Sequence, residues 1–146
     1  MNLERLKEEL IIDEGVKHEL YLDHLGLLTF GVGHLVTEND PEYGGSVGDK
    51  VSESRVDECF IKDIGTVVID CKRLYQEFEE LPEEVQLILA NMMFNMGFPR
   101  LSKFKNMNKA ILDGDWNKAA DEMIDSRWYR QVTNRADRLV NRMRSI

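Results

Sequence analysis

The strongest constraint on the fold is a stretch from Val85 to Met96 that is apolar almost all round: Val85, Leu87, Ile88, Leu89, Ala90, Met92, Met93, Phe94 and Met96. A surface helix carries one apolar stripe, whereas a helix apolar on every side belongs in the centre of a core. Pro82 with Glu83 and Glu84 makes a good first turn, because proline lacks only a donor that would go unsatisfied there. Gly97 and Pro99 are placed to end it. A chain of 146 residues is long enough to bury a real core round such a helix in one compact domain, without staples.

The other elements follow from periodicity and punctuation. Leu3, Leu6 and Leu10 form the apolar stripe of a first helix, with Asn2 as N-cap and Gly15 as its stop. Two apolar-rich runs, Glu19 to Leu22 and Leu27 to Val32, flank Asp23-His24-Leu25-Gly26 and predict a hairpin in a small antiparallel sheet of two or three strands. Gly31 and Gly33 alternate with Phe30, Val32 and His34, which marks a bend or a close approach of another group. Thr37 to Lys50 sustains no pattern, and no chemistry is assigned to it. Ser52 caps a long helix running to about Glu77, and shorter helices follow at about Phe104–Leu112, after Asp115 and from about Thr133, with a turn at Ser126–Tyr129. The fold class is α+β, mostly α: a small antiparallel β-sheet lobe of about residues 14–60 and a larger helical lobe, 1–13 and 61–146, joined by the long helix.

Composition narrows the function classes. No run of about 18 apolar residues exists, so no membrane-spanning helix or stable membrane association is expected. The polar, amphipathic start Met1-Asn2-Leu3-Glu4-Arg5-Leu6 lacks the apolar block of a secretory signal. Cys59 and Cys71 fall in one helix, roughly 18 Å apart at about 1.5 Å per residue, beyond disulfide reach, and no metal-ligand spacing of His or Cys accompanies them. The net charge of −8 argues against nucleic acid as a partner. That charge is uneven. Residues 1–90 hold 8 basic against 21 acidic side chains, while 127–146 holds six arginines against Asp137 alone. Those arginines are either a solvated helix face partnering the acidic front half or guanidinium groups facing a cleft or an anionic substrate.

Candidate chemistry gathers between Ile12 and Leu35. Glu14, in the last turn of the first helix, meets the negative end of the helix dipole, which suits a group that holds a proton. Asp23 lies in a turn and Thr29 in the strand after it. Two carboxyls in different settings are what acid–base hydrolysis of a glycosidic bond requires, and a separation of about 6.5–9.5 Å leaves room for a water. His34 is read as a buried histidine paired with a carboxylate, or alternatively as a base or ligand.

Ile12-Asp13-Glu14-Gly15, Asp23 and Thr29-Phe30-Gly31-Val32-Gly33-His34-Leu35 resemble the active-site front of the T-even phage lysozyme family of endolysins, with glutamate, aspartate and threonine at that family's unbroken spacing. Asn91 to Gly97, and Ser126 to Gln131 followed by Thr133-Asn134-Arg135-Ala136, resemble it too, so the likeness spans nearly the whole chain. The resemblance implies a lysozyme-like fold and an inverting muramidase. Glu14 would be the general acid, Asp23 the charged partner that helps activate water, and Thr29 the residue positioning that water. Leu35 and Phe94 would line the saccharide groove. Arg135 matches an arginine contacting the acid's carboxyl, with Asn91 in support, and His34 with Asp63 a structural ion pair.

It also implies bacterial peptidoglycan as the partner, no cofactor or metal, and a monomer. Synthesis would take place in a host cytoplasm without a signal peptide, with action on the wall after release through a separate membrane pore protein. Departures are a shortened loop before Ser52, His24-Leu25 after the aspartate, and Glu122 where an amide would touch the glycan. An acidic net charge further predicts weak attraction to an anionic wall. A catalytically dead wall-binding module, a chitin-type glycosidase and a lytic transglycosylase are the rival readings.

Overall fold

Helix ends are set by the side chains nearest them, and a computed structural model of residues 1–146 shows how. The first helix, α1 (Leu3–Glu14), starts where Asn2 Oδ1 accepts the Arg5 amide at 3.1 Å and stops at Gly15, whose φ of +74° is open to glycine at no steric cost. Ser52 Oγ accepts the Arg55 amide at 3.1 Å and starts α2 (Glu53–Leu74). That helix ends three residues before the expected Glu77. Glu77 adopts the left-handed φ of +62°, which turns the chain out of the helix and into a 3-10 turn, Phe78–Glu80. The apolar stretch forms α3 (Glu83–Met96). Gly97 ends it, yet Pro99 lies in the first turn of a new short helix, α4 (Phe98–Leu101). Then come α5 (Lys105–Leu112), α6 (Trp116–Ile124), α7 (Arg127–Gln131) and α8 (Thr133–Arg144). Asp115 and Ser126 cap α6 and α7 through the amides of Lys118 and Tyr129.

The chain divides into two units, Lys7–Thr66 and Met1–Leu6 with Val67–Ile146. The 7–66 unit takes in α1 from Lys7 and α2 as far as Thr66 together with the sheet.

In the 7–66 unit, β1 (Lys17–Leu22), β2 (Leu28–Gly31) and β3 (His34–Leu35) form an antiparallel sheet in that order. Tyr21 opposes Thr29 and Leu22 opposes Leu28, with an irregularity between Lys17 and Tyr21. Thr29 opposes Leu35 and Phe30 opposes His34. One face supplies Leu20 and Phe30 to a core with Val51 and the α2 residues Val56 and Cys59. The segment before Ser52 is more organised than its sequence suggests. Its backbone bonds along the free edge of β1: Leu20 N–H donates to Asp49 O at 2.8 Å, Gly48 N–H to Leu20 O at 2.8 Å and Val51 N–H to His18 O at 3.0 Å. That edge is covered rather than left open for another strand.

In the helical unit α3 is buried on all sides, with Val85, Leu87, Ile88, Leu89, Ala90 and Met92 fully enclosed. Each of these side chains larger than alanine contributes about 1.5–3 kcal/mol of burial. Around it α4 and α8 pack on α3, α5 on α6, and α6 and α7 on α8. Two arginines of α8 take the structural course open to them. Arg142 pairs with Glu84 of α3 at 2.5 Å and Arg144 with Asp121 of α6 at 2.6 Å. Cys59 and Cys71 are buried free thiols, and burial raises the pKa of both, that of Cys71 up to about 12, which keeps them protonated at neutral pH.

Candidate active site

Six of the residues singled out above lie in the 7–66 unit: Glu14, Asp23, Thr29, His34, Leu35 and Asp63. Glu14 is the last residue of α1, and its carboxyl packs on Gly33 at the β2–β3 turn. A Cβ built on Gly33 would stand 2.7 Å from Glu14 Oε2, and Gly33 has a φ of +59°. Glycine is needed there twice over, for the turn and for the carboxyl's close approach.

Asp23 sits where β1 turns toward β2. Its Oδ1 accepts the amides of Leu25 at 2.8 Å and Leu27 at 2.9 Å, and its own amide donates to Leu27 O at 2.9 Å. The turn thus fixes the carboxylate through one oxygen and leaves Oδ2 without a hydrogen bond inside the protein. Thr29 is 3% exposed, and its hydroxyl donates to Leu27 O at 2.8 Å. With its proton committed, the Thr29 oxygen is an acceptor for anything beside it. A water donating to it would turn a lone pair outward, as a nucleophile must.

His34 occupies the opposite side of the sheet from Thr29. It opposes Phe30 across the ladder, and the two rings lie 4.9 Å apart. Its Nδ1 is 2.7 Å from Asp63 Oδ2 and its Nε2 is 2.9 Å from Asp40 Oδ2. Neutral imidazole has one N–H, so two carboxylate acceptors call for the doubly protonated ring. Burial by itself lowers the His34 pKa. The hydrogen bonds to Asp63 and Asp40, together with their charges, outweigh it and hold the pKa above the ordinary value.

Asp40 was not foreseen. It also accepts the Thr37 amide at 2.9 Å and Arg55 Nη2 at 3.2 Å, while Arg55 grips Glu42 through two bonds of 3.0 Å. Burial disfavours the Asp40 charge, but the Thr37 amide, His34 and Arg55 more than compensate and hold its pKa below the usual range. The segment given no chemistry is thus bound to α2 by a chain of charges running from Glu42 through Arg55, Asp40 and His34 to Asp63. A cluster of acids with a single arginine a turn into the next helix was its only trace in the sequence.

Sequence reasoning also passed over Tyr21, in β1. Lys17 Nζ lies 4.3 Å from its ring centroid. Burial first, then the charges of Glu14 and Asp23, raise its pKa above the ordinary 10.0, so it is a neutral phenol at physiological pH.

The other three residues belong to the helical unit. Arg135 is buried, and its Nε donates to Asn91 Oδ1 at 2.9 Å. Asn91 is 1% exposed on the otherwise apolar α3, and a buried amide there answers the need of a buried guanidinium for an acceptor. Phe94 is half-buried. Its neighbour Asn95 accepts the Trp128 indole N–H at 2.7 Å and so ties α7 to α3. Polar residues at positions 91 and 95 of an all-apolar helix were the signal for both contacts.

A carboxyl on a glycine turn, a second held by backbone amides and a hydroxyl oxygen kept as acceptor are the parts of an acid–base hydrolase. Comparison with known proteins agrees. The phage lysozyme family model matches residues 12–145. A protein of Dictyostelium discoideum named probable T4-type lysozyme 2 is 32% identical over 93% of this chain and 91% of its own length. The pre-baseplate central spike protein Gp5 of Enterobacteria phage T4 is 29% identical over 92% of this chain, which corresponds to 26% of that protein. The peptidoglycan hydrolase gp36 of Pseudomonas phage phiKMV is 30% identical over 94% of this chain and 15% of its own length. Fold, site and matches together define a glycoside hydrolase. The chain belongs to the phage lysozyme family.

Proposed function

We propose that this lysozyme cleaves the β-1,4 bond between N-acetylmuramic acid and N-acetylglucosamine of bacterial peptidoglycan, with inversion at the anomeric carbon. Glu14 gives its proton to the leaving glycosidic oxygen as the C–O bond breaks. A water on the opposite face, accepted by Asp23 and Thr29, bonds to the anomeric carbon and loses its proton to Asp23, whose negative charge also stabilises the oxocarbenium-like transition state. The observation that carries this is the inequality of the two carboxyls: one on a helix end against Gly33, the other fixed by two amides in the strand-turn-strand that also presents Thr29. Leu35, beside Thr29 in the sheet, and Phe94, on α3, are assigned to saccharide contacts, and Arg135, braced on Asn91, to a supporting role. A phage hydrolase is named for the same polymer among the relatives.

We further propose the biological setting: a monomer made in a host cell, reaching the wall through a separate pore protein and lysing the cell to release progeny. No helix of the chain is long and apolar enough to cross a membrane.

Turbidity loss of chloroform-treated Gram-negative cells is the test. Wild type should clear them and Glu14→Gln should not; equal rates would remove the enzyme reading in favour of a wall-binding module. Released muropeptides should carry reducing ends, with the inverted anomer formed first. Anhydromuramic ends would mean a lytic transglycosylase instead. In cells, expression should lyse the culture only when a pore-forming protein is supplied with it.

A further inference from the structure

The register of the sheet places one more residue on the face that carries the proposed water-holder. Residues directly opposed in an antiparallel pair project to the same face, with Cβ atoms about 4.5–5.5 Å apart. Tyr21 opposes Thr29 and Thr29 opposes Leu35, so these three side chains form one row across β1, β2 and β3. Leu20 and Phe30, on the other face, pack on α2. Tyr21 also stands two residues before Asp23, on the strand that leads into the catalytic turn.

The two hydroxyls of this row are complementary. The Thr29 proton is committed to Leu27 O, which leaves its oxygen to accept. The half-buried Tyr21 makes no hydrogen bond through its phenol hydroxyl within the protein, so its proton is available to donate. Lys17 holds its ammonium over the negative face of the ring, 4.3 Å from the centroid, a cation–π contact that keeps the ring in place.

We propose that Tyr21 is a substrate-contacting residue of this site, whose phenol hydroxyl donates a hydrogen bond to an oxygen of the saccharide unit lying over the Tyr21–Thr29–Leu35 row. This rests on the hydrolase reading given above. The ring and Lys17 orient the donor, and the hydroxyl fixes the sugar while Thr29 holds the water. Burial, and then the charges of Glu14 and Asp23, hold the phenol's pKa above the ordinary 10.0, so the donor keeps its proton at neutral pH.

Tyr21→Phe deletes the hydroxyl and keeps the ring. In muralytic kinetics it should lower kcat/KM about tenfold, the worth of one hydrogen bond, with a melting temperature close to wild type. In a Glu14→Gln background, where turnover is absent, adding Tyr21→Phe should weaken chitotriose binding by a similar factor in an NMR titration. Unchanged kcat/KM, or lost activity with unchanged chitotriose affinity and a lowered melting temperature, would overturn the assignment. Failure of wild type to outpace Glu14→Gln is a separate result that removes the hydrolase reading itself.

Discussion

His34→Asn removes the cation from between Asp63 and Asp40 and tests the ion-pair cluster of the 7–66 unit. In the folded protein both ring nitrogens face carboxylates, at 2.7 and 2.9 Å. The His34 and Asp40 side chains are each 12% exposed and that of Asp63 is 28% exposed. Two charge-assisted hydrogen bonds of about 1.5 kcal/mol each, the low end of the range because water reaches Asp63, give about 3 kcal/mol. For a chain of this size, that corresponds to a melting temperature lower by roughly 6–12 °C.

The sign with pH follows from the direction of the shifts. The folded His34 pKa lies above its ordinary 6.5, so its stabilisation is fully present below 6.5 and is lost as pH rises through the folded value. The folded Asp40 pKa lies below its ordinary 3.8, so its contribution is present above 3.8 and is lost as pH falls through the folded value. The gap between wild type and His34→Asn should therefore be widest between these limits and should close in alkali. Urea unfolding of both proteins across that range measures it, with an NMR titration of the imidazole alongside. A gap that does not change with pH, or a His34 midpoint at or below 6.5, would refute the argument.

Gly33→Ala should damage catalysis far more than stability. The new Cβ would stand 2.7 Å from Glu14 Oε2 on a backbone with φ of +59°, so the carboxyl must move, and misplacement on the scale of an ångström costs about a hundredfold in rate. Muralytic assays paired with melting curves check this, and a variant with wild-type kcat would contradict it. Arg55→Ala should cost about 1–2 kcal/mol, because a bidentate pair with Glu42 and a bond to Asp40 are lost at a partly exposed site. Hydrogen exchange should quicken first at the Asp40, Tyr43 and Gly45 amides, whose bonds lie within the freed segment; uniform acceleration through α2 would point to global destabilisation instead.

How much of this was legible beforehand depends on the range of the interaction involved. Asn2, Ser52, Asp115 and Ser126 start helices with bonds that reach three residues ahead, and Gly15 and Gly97 stop them with their own backbone, so a linear reading places these ends within a residue or two. The exception at the end of α2 has a local cause without a residue signature: Glu77, not a glycine, takes the left-handed conformation. The all-apolar pattern of α3 required a central position because no face of it could be left in water. Local signals likewise placed Glu14 at a helix end, Asp23 in a turn and Thr29 in the next strand, while the roles proposed for them come from the family resemblance and not from their spacing.

Only the tertiary structure joins Asp40 to Arg55, 15 residues away, and to His34. His34 with Asp63, 29 apart, and Asn91 with Arg135, 44 apart, were paired beforehand by the family resemblance alone. No local rule selects such partners among 27 acidic residues, because the choice is made by chain topology and by the need of each buried charge for a counterpart. Strand register is of the same kind. Period-two alternation shows that Tyr21 and Leu20 face opposite ways, yet pairing with β2 alone sets Tyr21 beside Thr29 and turns His34 toward α2, since a slip of one residue would exchange the two faces.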